Sequence, residues 1–277
     1  MVRSIKGKVT AAVIAVACTL GATHASALSL KISVTNNTGK GGLTLTPLLA
    51  MLHNGTFDTF SPGSKASAAL EALAEDGNAG VTGAALAAAQ PKSTSAVITA
   101  PQGFAGAPLI EPGETGSVRI DNVDAATQGF FSYLSMILPS NDQFIGNGNP
   151  LAHALFDAKG QFLGPQTINV SGLNAYDAGT EVNNGLGSPF AQLGAGASVD
   201  EGGVVSLASG IDNFAGLTLP NGQVLGTSPI NYAGNAAFSL ATISITAVPL
   251  PAGLPLMLGG LALFGMVARR KKPAATA

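Results

Sequence analysis

Residues 130–138, Phe-Phe-Ser-Tyr-Leu-Ser-Met-Ile-Leu, form an uncharged run dominated by aromatic and branched side chains. This run suits a strand buried on both faces, and it constrains the fold more than any other stretch. A strand with no solvent side needs material packed above it and below it. Pro139 ends the run, because proline offers no N–H to a ladder. Ser140, Asn141 and Asp142 follow, all turn formers. The strand is thus expected to deliver one carboxylate, Asp142, to an exposed edge. A second acidic turn, Tyr176-Asp177-Ala178-Gly179-Thr180-Glu181, lies further along the chain. A divalent cation would give both turns a common purpose.

Both ends of the 277-residue chain read as addresses. Arg3, Lys6 and Lys8 precede a short apolar stretch, Val9–Leu20, and Ala25-Ser26-Ala27 is a small-x-small cleavage site. This pattern predicts a secretory signal peptide over residues 1–27. A permanent membrane anchor is the competing reading, against which the shortness of the apolar run argues. Cys18 opens a third, a lipoprotein modified on that cysteine, although Ala15-Val16-Ala17 matches a Leu-rich lipoprotein box poorly. Cleavage after Ala27 removes the single cysteine, so disulfides cannot staple the body. A body of about 220 residues can bury a core without them.

Charge is informative once the ends are set aside. Seven of the 13 Lys and Arg lie in the leader and the final tail, which leaves six against all 15 Asp and Glu, a net charge of −9 over residues 28–247. That balance argues against a nucleic-acid partner, which would want a basic face. It is compatible with cation binding and with solubility outside the cell. The low charged fraction, the absence of Trp and the abundance of Gly, Ala, Ser and Thr fit a lean secreted β-protein with long loops.

Leu28–Thr35 alternates apolar and polar residues, as a half-buried strand does. Leu43–His53 reads as a second strand that Pro47 interrupts. Ser64–Glu75 has helical composition with Leu70 and Leu73 on one face and Gly77 as a stop; Thr82–Gln90 reads as another short helix. Both helices are expected as small insertions on a sheet. Ala96–Thr99 and Ser117–Asn122 read as strands, and Leu151–Phe156 and Gln166–Val170 as a hairpin around the Asp157–Gly160 turn. Residues 183–203 are Gly-rich and read as a long loop, with a short strand possible over Gly202–Ala208. Ala236–Ala247 closes the body as an alternating strand, with Phe238, Leu240 and Thr242 opposed to Ala241, Ile243 and Ile245. Many short strands separated by turns predict an all-β antiparallel sandwich carrying one or two short inserted helices.

The final element stands apart. Val248-Pro249-Leu250-Pro251-Ala252 is rigid and extended; Gly253–Ala268 carries no charge; Arg269-Arg270-Lys271-Lys272 follows. The apolar run would span about 24 Å as a helix. This is slightly short of a bilayer of about 30 Å, a difference that basic side chains make up by snorkelling. The bases hold their end in the cytoplasm. The order predicts a C-terminal transmembrane helix with the body outside; a buried core helix is the alternative, with which four adjacent bases fit poorly.

This tripartite tail, residues 248–277, resembles the VPLPA class of PEP-CTERM sorting signals of Gram-negative bacteria, and Val248, Pro249, Leu250, Pro251 and Ala252 match its motif letter for letter. The resemblance implies an exosortase-type membrane enzyme as partner, the inner membrane as a station before processing, and the cell surface or extracellular matrix as destination. The body, residues 28–247, resembles a bacterial spondin domain, the N-terminal module of F-spondin and mindin. The matching residues are Thr46-Pro47-Leu48-Leu49 with His53, Leu73–Gly77, Pro112–Glu114, Leu138–Gly146 and Tyr176–Glu181. This likeness implies a C2-like sandwich with a cation, usually calcium, near one end. The cysteines of the animal domains are absent here.

Calcium takes six to eight oxygens from carboxylates, carbonyls and water. Asp142, Asp177 and Glu181 are the ligands that the spondin resemblance implies, with backbone carbonyls completing the shell. The competing reading has Asp142 and Asp177 capping turns with their own backbone. Glu75-Asp76 and Asp200-Glu201 read as solvated turn residues. His53 and His153 lack the partners of a zinc or catalytic site and read as satisfied histidines. No Gly-x-Ser-x-Gly elbow and no phosphate-cradling strand-to-helix turn is present. The expected function is that of an exported, surface- or matrix-associated, non-enzymatic protein. Its calcium-stabilised sandwich would serve adhesion or association with a surface glycan or exopolysaccharide. The alternatives are a structural matrix component without a specific ligand and, more weakly supported, a secreted hydrolase.

Overall fold

The computed structural model describes residues 28–100, 108–189, 196–218, 224 and 232–249. The expected signal peptide with Ala25 and Ala27, the residues Leu250, Pro251 and Ala252 of the expected sorting motif, and the apolar and basic stretch after them lie outside the described residues. Among the described residues no helix is long and apolar enough to cross a membrane.

Two antiparallel sheets stack. The first contains β1 (Leu28–Asn36), β5 (Thr115–Val123), β8 (Gln166–Ser171) and β11 (Ser239–Val248), in the order β5-β1-β11-β8. The second contains β3 (Leu48–His53), β4 (Thr94–Ile98), β6 (Phe130–Leu138), β7 (Gln143–Gly146), β9 (Ala175–Asp177) and β10 (Ser206–Leu207). Its order is β10-β9-β7-β6-β3-β4, with β2 (Thr44–Leu45) paired to β6. The expected antiparallel sandwich is therefore observed.

Strand alternation decides the core. Leu30, Ile32 and Val34 of β1 are fully buried, while Lys31 faces solvent. They meet Leu48, Ala50 and Leu52 of β3 and Phe131, Tyr133 and Ile137 of β6 between the sheets. The alternate residues of the second sheet, Leu49, Met51, Leu134 and Phe144, point the other way and are buried too. Two helices cover them: α1 (Ala68–Asp76) and α2 (Ala79–Ala89), through Leu70, Leu73 and Leu86. The helices are a third layer rather than small insertions, and they are why β6 carries no charge on either face. Each fully buried leucine contributes about 1.5–3 kcal/mol.

Local chemistry sets the helix ends. The Ser67 side chain accepts the Leu70 N–H at 3.2 Å and caps α1. Gly77, at φ 67°, closes it by donating its N–H to Leu73 O at 3.0 Å. Pro47 separates β2 from β3, as proline in a strand interior requires.

Three local expectations need correction. Leu151–Phe156 is not a hairpin strand. The Asp157 turn closes only a single bridge, Phe156 to Phe162, whose rings pack edge-on, while β8 pairs with β11. In β11 a register shift between Ser239 and Ala241 turns both Leu240 and Ala241 inward, which breaks the strict alternation. β9 (Ala175–Asp177) takes in the start of the Tyr176–Glu181 stretch that reads wholly as a turn, because the strand is short and followed by Gly.

The sandwich has two chemically distinct ends. Leu28 lies opposite Val123, and Ser29 opposite Val248, at one of them. At the other, Asn36 donates to Leu43 O at 2.9 Å, and the adjacent Thr44 pairs with Leu138. The Pro139–Asp142 turn therefore sits at the Asn36 end, a full strand length from Leu28 and Val248.

Candidate cation site at the acidic end

β6 and β7 flank the turn that carries Asn141 and Asp142. β9 lies beside β7 with Gln143 opposite Asp177. This register brings the second acidic turn against the first. The Ala178 N–H donates to Asp142 O at 3.1 Å. The Asp142 carboxylate reaches further: Oδ2 accepts the backbone N–H groups of Thr180 at 3.0 Å and Glu181 at 3.1 Å. Asp142, Asp177 and Glu181 thus share one end of the molecule.

The expectation that Asp142 stands at an exposed edge is corrected. Asp142 is fully buried, and Asp177 and Glu181 are only 6% and 7% exposed. The cover is the segment after residue 196. The Val182 N–H donates to Val199 O at 2.8 Å, Glu201 N–H to Thr180 O at 2.8 Å and Gly203 N–H to Gly179 O at 2.7 Å. Such close approach needs Gly179, whose φ is 67° and whose absent Cβ would meet Val204 O at 2.6 Å.

Burial raises the Asp142 carboxyl well above the usual carboxylate range, and the neighbouring Asp177 charge adds to the rise; the N–H groups of Glu181 and Thr180 offset part of it. Burial also pushes Glu181 up; Asp200 and Asp76 reinforce the shift, and hydrogen bonds from Ser198 and Asn141 oppose it. Glu75 is raised by burial, with Glu181, Glu71 and Asp76 adding and a bond to Thr180 opposing. The C-terminal acids of α1 and the loop acid Asp200 therefore belong to this end and are not merely solvated turn residues. Glu71, Glu75 and Asp200 line an open recess of about 240 Å³ beside Gly179 and Thr180, with Lys65 on its rim. Nothing in the sequence near Glu75 signals the approach of the Thr180 turn; only the third layer brings it there.

Six buried side-chain oxygens lack a hydrogen-bond partner among the described residues, and three of them are Asn141 Oδ1, Asp142 Oδ1 and Glu181 Oε2. The Asn141 Nδ2, which has two N–H groups, donates to Val182 O at 3.0 Å and also hydrogen-bonds the Glu181 carboxylate, which leaves Asn141 Oδ1 and Glu181 Oε2 as the free oxygens. Buried oxygens without donors call for an ion or water. A set of two carboxylates and an amide carbonyl, with no nitrogen or sulfur, has the chemistry of a hard cation such as calcium. The residues therefore fit the implied ion. Asp177 is placed differently: Oδ1 accepts the Gly179 N–H at 2.8 Å and Oδ2 accepts from Asn183 Nδ2 at 2.6 Å. It shapes its own turn, and each oxygen keeps a lone pair. Among the described residues no group of three or more His, Cys, Asp or Glu converges to hold a metal, so amide and backbone oxygens would have to contribute. Asn141 was the residue missed; its signal was a second oxygen-bearing side chain next to Asp142.

Elsewhere, His53 is fully buried. Its Nδ1 accepts the Gly55 N–H at 3.0 Å, which leaves the proton on Nε2 to be donated to Ser132 Oγ at 2.9 Å. Ser132 Oγ also accepts from Asn147 Nδ2 at 2.9 Å. Burial lowers the His53 pKa to about 4.

The fold and its acidic end define a helix-covered antiparallel β-sandwich with an oxygen-rich candidate ion site. The Spondin_N family model matches residues 40–195, more than half of the chain, and the chain belongs to that family. Membership puts it among extracellular or secreted, matrix-type proteins. A search of curated proteins found no match.

Proposed function

We propose that this chain is an exported, non-enzymatic bacterial surface or matrix protein whose sandwich binds one calcium ion at its acidic end, for adhesion or for association with an exopolysaccharide. The buried, unpartnered Asn141, Asp142 and Glu181 oxygens, carried by two turns that the β7–β9 pairing brings together, support it. Asn141 Oδ1, Asp142 Oδ1 and Glu181 Oε2 would hold the ion, and Asp177 would fix the turn that positions Glu181. Bound there, calcium would neutralise the carboxylates and tie the 179–182 turn to the β6–β7 turn. The His53–Ser132 contact supports a non-enzymatic reading, since Nε2 carries the proton and cannot accept one from Ser132. The tail supports the destination: Val248 to Ala252, an apolar run and four bases have the order of a VPLPA-type sorting signal of Gram-negative bacteria, read by an exosortase-type enzyme at the inner membrane.

The test is retention of the purified body on extracellular polysaccharide from a producing strain, in calcium and in EDTA. Selective retention that EDTA abolishes is expected. Absence of retention in both conditions would leave a structural component without a specific ligand.

A further inference from the structure

We infer that, while its tail holds it in the inner membrane, the sandwich stands on the bilayer by its Leu28/Val248 end and presents the acidic end away from the lipid, to the compartment outside that membrane. The inference rests on the proposed reading of the tail as a membrane segment and adds which surface faces the lipid. Val248 is the last residue of β11 and is held in register opposite Ser29, so the fold extends into the tail motif without a spacer. Only Pro249, Leu250, Pro251 and Ala252 separate it from the uncharged run that begins at Gly253. Four residues reach at most about 14 Å even when fully extended. The eight steps of β1 from Leu28 to Asn36 cover about 26 Å at ~3.3 Å each. The tail is too short to run back along the sandwich, so the acidic end cannot be the one seated on the bilayer.

Charge points the same way. Around the Thr180 turn, Glu181 feels Asp200 and Asp76, Glu75 feels Glu181, Glu71 and Asp76, and Asp142 feels Asp177 and Glu181, so seven acids are linked pair by pair at this end. A bilayer with anionic headgroups repels such an end, and the repulsion is screened within about 10 Å. Held at about 26 Å, the acidic end escapes the lipid field and remains open to a cation and to a polymer. The Val123–Thr127 and Asp157–Gly160 loops instead lie at the membrane side, next to Leu28.

The test uses the full chain with Cys18→Ser, which leaves no other cysteine. Ala126→Cys at the Leu28 end and Ala197→Cys at the acidic end are both at exposed positions and carry a donor fluorophore. The protein is reconstituted into phosphatidylethanolamine–phosphatidylglycerol vesicles bearing headgroup acceptors. Energy transfer from position 126 is expected to exceed that from position 197 by about twofold or more, given the strand-length separation. Ala158→Cys, also exposed and in the lower loops, replaces Ala126→Cys if that variant does not fold. Equal or reversed transfer from protein that floats with the vesicles overturns the orientation while leaving the tail reading intact. Failure to float overturns both.

Discussion

Asp142 Oδ2 accepts the backbone N–H of Glu181 at 3.1 Å across 39 positions of sequence, while Asp142 Oδ1 is buried with no partner among the described residues. One oxygen ties two turns together; the other is free for an ion. Asp142→Asn keeps an acceptor for the Thr180 and Glu181 N–H groups and removes the charge. Wild-type protein at a calcium concentration a hundredfold above Kd should gain about 2.7 kcal/mol, a Tm rise of roughly 5–11 °C for a domain of this size. Asp142→Asn should lose that rise, yet melt in EDTA at or above the wild-type temperature. A calcium response equal to wild type in this variant would remove Asp142 from the site.

Gly179→Ala tests the cover over the site. The new Cβ would sit 2.6 Å from Val204 O and 2.7 Å from Val204 N, at a φ of 67° that disfavours a side chain. The expected cost is about 2 kcal/mol or more in urea unfolding. Gly202→Ala is a control at φ 68° with nothing within 4 Å, and should cost about 1 kcal/mol. Equal costs would show that the Val204 contact does not constrain the turn.

His53 sets an acid limit on stability. Its folded pKa is lowered to about 4 from an ordinary value of 6.5. Between those values the unfolded chain binds the proton and the folded one does not, so stability falls as pH drops from about 6.5 to about 4 and levels off below. The loss attributable to this residue is at most about 3 kcal/mol. His53→Gln should flatten that part of the pH–stability curve, read by urea midpoints from pH 7 to pH 4, while lowering stability at pH 7 through the lost Ser132 contact.

Tyr133 lies in the core with an Oη that finds no partner among the described residues. Burial drives its pKa far upward. Tyr133→Phe removes a desolvated hydroxyl and leaves the ring in place, so the variant should be more stable by about 1 kcal/mol. A loss of that size instead would reveal a partner for the hydroxyl.

Much of the fold was legible because period-two patterns are local. Leu28–Thr35, the Pro47 break, the uncharged Phe130–Leu138 run and the Gly77 stop each specify their own backbone. The helices were legible as helices but not as a layer, because what Leu70 and Leu73 pack against is set by Leu49, Leu134 and Phe144 far along the chain. The Leu151–Phe156 stretch misled because alternation in a loop anchored by Phe156 and Phe162 looks like a strand. At the candidate site the sequence pointed to two acidic turns but not to their burial. The cover over Asp142 comes from Val199–Val205, a Gly-rich strip with no pattern of its own. Asn141 reads only as a turn former in the sequence, because a turn-forming Asn and an oxygen ligand look the same until the fold brings the side chain against Glu181.

Isothermal titration of calcium into the metal-free body, with Asp142→Asn and Glu181→Gln alongside, tests the account at its centre. The wild-type protein should bind one ion per chain, and both variants should bind it at least tenfold more weakly, a loss of about 1.4 kcal/mol or more. No heat of binding in the wild type, or binding that survives both substitutions unchanged, would contradict the claim that these buried oxygens hold a cation.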